Sequence, residues 1–211
     1  MTRLTLAFAL VAFGLQVSCG ATSGDKRGVD SLVRGLGFAD SGKYREAIRS
    51  FRTGLLTDAH QAACNNIGVS YARLGDYERA LLEYNRVPRK CRSAVLQYNR
   101  GVALLRLKRH VEAEQALRDV IASFPRFPKA WNNLGLALLG QRRYKAAEWA
   151  VRRALAIRVR SPRAWNNLGA VHARSGRVGD AVRAYREALR LDPGFSLARR
   201  NIARLSRGSA R

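Results

Sequence analysis

Methionine occurs once, at position 1, while cysteine occurs three times and proline five times in 211 residues. Three Cys cannot staple a small disulfide scaffold, and no Cys/His group has zinc-finger spacing, so the fold must rest on an apolar core. Acidic residues are scarce as well. Asp+Glu number 15 against 39 Lys+Arg, a formal charge of +24, and 33 of those cations are Arg. A disordered polybasic tail is excluded by the 47% hydrophobic content, which is that of a folded chain. No apolar run is long enough to cross a bilayer, which takes roughly 20 residues. The charge excess by itself points to an acidic partner: nucleic acid, an anionic membrane surface or an acidic protein.

The amino terminus reads as an export signal. Arg3 supplies one positive charge, and Leu4 to Val17 follows as an apolar segment of signal-peptide length. The next residues, Leu15-Gln16-Val17-Ser18-Cys19, resemble a bacterial lipobox, in which a small residue precedes the Cys that is acylated. Ser18 and Cys19 match that pattern, while Gln16 departs from the usual Leu; an ordinary signal peptide cut near Gly20 or Ala21 is the alternative. The resemblance implies a signal peptide over 1–18, lipidation of Cys19 and a small, polar tether over 19–27. Gly20 follows Cys19 where an inner-membrane retention Asp stands in many such lipoproteins, so an outer-membrane lipoprotein facing the periplasm is expected. A soluble periplasmic or secreted protein is the other possibility.

The remainder repeats itself. Trp131-Asn132-Asn133-Leu134-Gly135 recurs as Trp165-Asn166-Asn167-Leu168-Gly169, an offset of 34 residues, and earlier copies stand at Tyr98-Asn99-Arg100-Gly101 and Cys64-Asn65-Asn66-Ile67-Gly68. Each unit carries two amphipathic helical patterns. Ser161-Pro162 and Phe127-Pro128 mark helix starts, and Ser175-Gly176 and Asp192-Pro193-Gly194 mark stops. A second helix is expected from Gly179 or Asp180 to Leu191. Period and pattern resemble the tetratricopeptide repeat family. The resemblance implies an all-α, right-handed superhelical solenoid of about five repeats, 28–60, 61–93, 94–127, 128–161 and 162–195. A capping helix over 196–206 and a tail over 207–211 complete it. Gly68, Gly101, Gly135 and Gly169 are expected where paired helices approach closely, with Ala47, Ala80, Ala113, Ala147 and Ala181 opposite. Phe51, Tyr84, Leu117, Val151 and Tyr185 are expected as large knobs between repeats.

By the same resemblance the first helices line a concave groove. Asn66, Asn99, Asn133 and Asn167 then form a column whose amides could pair with the backbone of an extended peptide; the other reading is that they order neighbouring helices. Arg73, Arg106, Lys129, Arg163 and Arg174 flank the column, with no carboxylate at groove positions of the second to fifth repeats, which favours an acidic segment or a chain terminus. A co-chaperone-type carboxylate clamp is incomplete, because Leu32 and Leu36 stand where it needs a cation and an Asn.

Catalysis and cofactors find no support. His60 is assigned to a loop and His110 and His172 to packing positions, without Cys or carboxylate at ligand spacing. Gly-rich phosphate loops and nucleophile elbows are missing. Cys64 and Cys91 could form a disulfide pinning the loop around Pro88. The whole suggests a non-enzymatic adaptor lipoprotein that binds a peptide segment of a protein partner and sits on the membrane through its lipid anchor. Its architecture resembles pilotins that assist pilus secretins. A basic envelope protein binding anionic lipid, lipopolysaccharide or nucleic acid is the alternative; the export signal makes a nucleic-acid role improbable.

Overall fold

The structure is a computed structural model that describes residues 26–53, 55 and 60–208. The signal segment, Cys19 and the first part of the tether lie outside these residues. Eleven α-helices and no strand occur among the described residues, which is the all-α class expected. They fall into two compact units that divide at Arg92 and Ser93.

The first unit holds α1 (Lys26–Asp40), α2 (Tyr44–Thr53), α3 (His60–Arg73) and α4 (Tyr77–Arg86), closed by a 3-10 turn over Arg89–Cys91. Lys26 and Arg27, which the sequence reading assigned to the tether, belong to α1. Helix α4 ends before Pro88, as a residue lacking an N–H requires. Val87 turns extended, and Arg92 donates from Nε to the Val87 carbonyl at 2.9 Å, capping the freed end.

The second unit holds α5 (Ala94–Arg106), α6 (His110–Ser123), α7 (Pro128–Gly140), α8 (Tyr144–Ile157), α9 (Pro162–Arg174), α10 (Val178–Leu191) and α11 (Ser196–Gly208). Helix α10 begins at Val178, ahead of the expected start, because Arg177 and not Gly179 is its cap residue. Pro128 and Pro162 open α7 and α9, and the Ser161 hydroxyl accepts from the Ala164 N–H. Each helix packs on the next in sequence, and first helices also touch across repeats: α5 on α7, α7 on α9, α9 on α11.

Close packing within each hairpin follows one rule. The first-helix glycine sits under the large second-helix residue 16 positions later: Gly35 under Phe51, Gly68 under Tyr84, Gly101 under Leu117, Gly135 under Val151 and Gly169 under Tyr185. A Cβ at Gly169 would fall 2.5 Å from the Tyr185 ring. The knobs therefore fill the glycine notch of their own repeat, where the sequence suggested contacts between repeats. Ala47, Ala80, Ala113, Ala147 and Ala181 are fully buried, as expected.

Turns inside the hairpins share a helix-ending hydrogen-bond pattern, seen for Lys43 N–H to Phe38 O and Arg177 N–H to His172 O. Its left-handed residue is Gly176 in the fifth repeat (φ 81°) but Arg142 in the fourth (φ 60°). Between repeats, the indole N–H of Trp131 donates to Pro125 O at 2.7 Å and that of Trp165 to Val159 O at 3.0 Å. The Trp positions thus tie down the connecting loops.

Gly169→Ala is expected to lower stability by about 1–3 kcal/mol through overpacking against Tyr185. Gly179→Ala, where nothing lies within 4 Å of the added carbon, is expected to be neutral or to stabilise α10 by up to about 1 kcal/mol. Thermal unfolding followed by circular dichroism separates the two; equal melting temperatures for both variants would contradict the notch.

Candidate peptide-binding face

Position six of the second to fifth repeats holds Asn, and the structure shows where several of those amides go. In the second unit they form a hydrogen-bonded relay. Asn201 on α11 donates to Asn166 Oδ1 at 2.9 Å, Asn166 to Asn167 at 3.4 Å, and Asn167 to Asn132 at 2.9 Å. Asn132 donates to Asn133 at 3.5 Å, and Asn133 to the Tyr98 hydroxyl at 3.2 Å. The amides of Asn201, Asn167 and Asn133 each reach back to the residue 35 positions earlier, so the relay crosses α11, α9, α7 and α5. Asn166 is 3% exposed, and Asn132 and Asn167 are 7% exposed.

Asn167 is buried, donates to Asn132 and accepts from Asn166, so its amide is engaged between neighbouring helices where the sequence suggested a ligand-facing column. Asn133 is half-buried and keeps one amide hydrogen beyond its bond to Tyr98, and Asn99 is half-buried beside it. Asn66 lies in the first unit, half-buried, accepting from Asn65 at 3.3 Å. Asn201 and Tyr98 were missed as relay members; adding the 34-residue period to Asn167 and subtracting it from Asn132 would have found both.

The five cations are exposed, Arg73 on the first unit and Arg106, Lys129, Arg163 and Arg174 on the second. Arg73, Lys129, Arg163 and Arg174 have no carboxylate partner among the described residues. Helices α3, α5, α7, α9 and α11 contain no Asp or Glu. Acids of the second unit instead engage cations on second helices and turns. Glu114 binds Arg118 and Arg143, each at 2.8 Å, and Glu148 binds Arg152 at 2.9 Å and Arg177. Burial pushes the Glu114 carboxyl up, but hydrogen bonds from Gln141 and Arg118 and the Arg143 charge outweigh it, leaving it below the usual carboxylate range. The Tyr98 hydroxyl is pushed up by burial, opposed by its bond from Asn133 and by the charge of Arg163. Half-buried Val102, Leu136 and Ala170, one repeat apart, lie on the same first helices.

The histidines and cysteines give two corrections. His60 opens α3 instead of standing in a loop, and its Nε2 lies 3.5 Å from Cys64 Sγ, a contact signalled by their i,i+4 spacing. Its Nδ1 is 3.0 Å from the Leu55 carbonyl, so the ring is held from both sides. Cys64 is a free thiol, so the bond expected to Cys91 is not formed: its side chain is fully buried on the α3 side facing α4, while Cys91 sits in the 3-10 turn. Burial first, and Glu83 second, push that thiol up to about 11, which keeps it protonated and unreactive. His110 packs over Gly140, and His172 is buried with its pKa held down by desolvation. No group of metal-ligating side chains occurs among the described residues.

A tetratricopeptide repeat family model matches residues 32–95, 98–158 and 133–194. The chain belongs to the tetratricopeptide repeat family. No curated relative matches it. Among solved structures, the tetratricopeptide fold is shared with MamA residues 41-end from Desulfovibrio magneticus RS-1 at 22% identity, covering 82% of this chain and 99% of that one, TM-score 0.74. TTC0263, a thermophilic tetratricopeptide protein of Thermus thermophilus, aligns at 21% identity over 84% of this chain and 98% of that one, TM-score 0.66. The Cut9–Hcn1 hetero-tetramer of the APC/C aligns at 20% identity over 87% of this chain and 37% of that one, TM-score 0.72. At these identities the likeness is one of fold. Tetratricopeptide solenoids are protein-interaction scaffolds, generally without catalysis of their own.

Asn167→Ala is expected to destabilise the second unit by about 1–3 kcal/mol, because it strips the buried Asn132 oxygen of its donor. Asn133→Ala, at a half-buried link, is expected to cost less. Urea unfolding of both variants without ligand checks the order, and a neutral Asn167→Ala would remove the relay from the fold's energetics.

Proposed function

We propose that this tetratricopeptide scaffold is an exported adaptor whose second-unit first helices capture an acidic, extended segment of an envelope protein. One observation carries the reading: the acids are confined to α6, α8, α10 and Asp192, whereas α5, α7, α9 and α11 present cations alone. Lys129, Arg163 and Arg174 stay exposed with no carboxylate of the described residues to neutralise them. A peptide carboxylate meeting them forms charge-assisted hydrogen bonds, each contributing about 0.2–1 kcal/mol at such exposed positions. Asn99 and Asn133 add amide contacts to the peptide backbone, and Val102, Leu136 and Ala170 offer apolar surface to its side chains.

Export and anchoring rest on the lipobox-like Leu15 to Cys19. Acylated at Cys19, the repeats would stand in the periplasm on a short tether from the outer membrane, which suits an assembly factor for a multi-subunit complex such as a pilus secretin. No helix among the described residues is long and apolar enough to cross a membrane. Stable attachment would therefore depend on the acyl chains, at about 0.8 kcal/mol per buried methylene.

Fluorescence anisotropy with a labelled peptide of alternating Asp and Leu tests the face. Lys129→Ala with Arg163→Ala is expected to weaken binding about tenfold or more. Arg183→Ala with Arg190→Ala, whose side chains already pair with Asp180 and Glu187, is expected to leave it unchanged. Undiminished affinity in the first double variant refutes the face.

Anchoring has its own test. Metabolic labelling with palmitate should mark the parent chain and not Cys19→Ser, and only the parent should sediment with membranes. A parent chain that takes up no label would return Cys19 to an ordinary, cleaved signal peptide.

A further inference from the structure

The first unit carries a concentration of positive charge of its own. Arg45, Arg49 and Arg52 recur on α2 at spacings of four and three, which places them on one side of that helix. Across from them stand Tyr71 near the end of α3, Leu74 in the turn that follows, and Asp76 and Arg79 at the start of α4. With Ile48 these residues line a cleft of about 660 Å³. Four guanidinium groups therefore share one cleft with a single carboxylate.

That carboxylate is already engaged. Asp76 Oδ1 accepts the Arg79 backbone N–H at 3.0 Å as the cap of α4, and its other oxygen lies 3.4 Å from the Arg79 guanidinium. Arg49 has only a loose pairing with Glu46, at 3.8 Å. Arg52 donates to the Tyr71 hydroxyl at 3.2 Å, and the Arg79 guanidinium lies over the Tyr71 ring, 5.8 Å from its centroid. Arg45 has no carboxylate partner among the described residues. Holding four like charges around one cleft is unfavourable unless a counter-anion joins them. Elsewhere in the molecule, Glu114 and Glu148 each take two cations, so the fold balances such clusters where it has acids to do so.

We infer that this cleft is a binding site for a phosphate-bearing anion. A carboxylate has two oxygens and saturates one guanidinium fork, whereas a terminal phosphate presents three oxygens and up to two charges, enough to engage several forks at once. Tyr71 holds the floor: its ring supports Arg79, and its hydroxyl accepts from Arg52 while keeping a proton to donate to a phosphate oxygen. Ile48 and Leu74 add apolar wall suited to whatever carbon skeleton carries the phosphate. The phosphate could belong to a soluble molecule or to a lipid headgroup. The inference does not depend on the peptide-binding face, since no residue is shared.

The probes are inorganic pyrophosphate, titrated calorimetrically into the full chain at low salt, and phosphatidylcholine vesicles with and without phosphatidylglycerol, used in cosedimentation. Arg45→Gln with Arg52→Gln alters two exposed side chains and is expected to weaken binding about tenfold or more. Arg152→Gln with Arg183→Gln, which removes the same charge from α8 and α10, is expected to leave it within about twofold. Pyrophosphate binding lost in the α2 variant assigns a soluble phosphate. Binding to anionic vesicles alone, lost in the same variant, assigns a lipid headgroup. Equal losses in the two double variants would reduce the effect to net charge and overturn the site, as would absence of binding to both probes. Unchanged far-ultraviolet circular dichroism in each variant keeps misfolding from imitating a loss.

Discussion

Every hairpin depends on one contact, the large second-helix side chain seated over a bare first-helix glycine. An aromatic ring such as Tyr84 or Tyr185 reaches full burial between two helices only if the facing backbone gives up its side chain. The notch sets how closely the pair approaches, and so how the next hairpin can lie on it. Leu117 and Val151 use the same notch with smaller groups, so the geometry survives changes in knob size provided the glycine stays. Interiors at crystal-like packing density allow little else: a single added methyl must displace a ring that has nowhere to go.

Because the notches bring successive hairpins into the same relation, first helices meet first helices at a constant spacing. That spacing lets an amide on one repeat reach its counterpart 35 residues earlier, as Asn201, Asn167 and Asn133 all do. Buried amides are expensive when unpaired, and the relay pairs each with the next, so stacking in any other register would strand several at once. The second helices lock register differently, through Glu114 to Arg143 and Glu148 to Arg177, 29 residues apart in both cases. Polar coupling between repeats thus runs along both sides of the second unit, by neutral amides on one and ion pairs on the other.

The fold was legible because its determinants recur: glycine, buried alanine and knob return in every repeat, and Pro128 and Pro162 start helices where φ is already suited to them. The site was legible only in part. The Asn column is plain in the sequence, but position six alone does not say whether an amide faces a ligand or a neighbour; that depends on stacking, which a linear pattern does not contain. Cys64 and Cys91 looked close because both ends of a hairpin meet, yet a thiol buried between helices points inward whatever its loop does. Arg45, Arg49 and Arg52 read as ordinary surface cations of an amphipathic helix, and only their apposition to Tyr71 and Arg79 gathers them into a cleft.

Burying Asn167 together with Asn132 and Asn166 changes what kind of recognition can be proposed for the second unit. Amides free to pair with a peptide backbone would have given affinity through many neutral hydrogen bonds, nearly independent of salt. With Asn132, Asn166 and Asn167 spent on the fold, the proposed recognition would rest on Lys129, Arg163 and Arg174, whose attraction extends over a Debye length of about 10 Å at moderate salt and fades as salt rises. Such a face accelerates encounter and selects for charge more than for sequence. The relay ties together the helices that carry these cations, so on the proposed reading less backbone ordering would be left to be done on binding. A scaffold built this way would receive a disordered acidic segment on a surface already formed, leaving the entropy cost of association mostly to the partner.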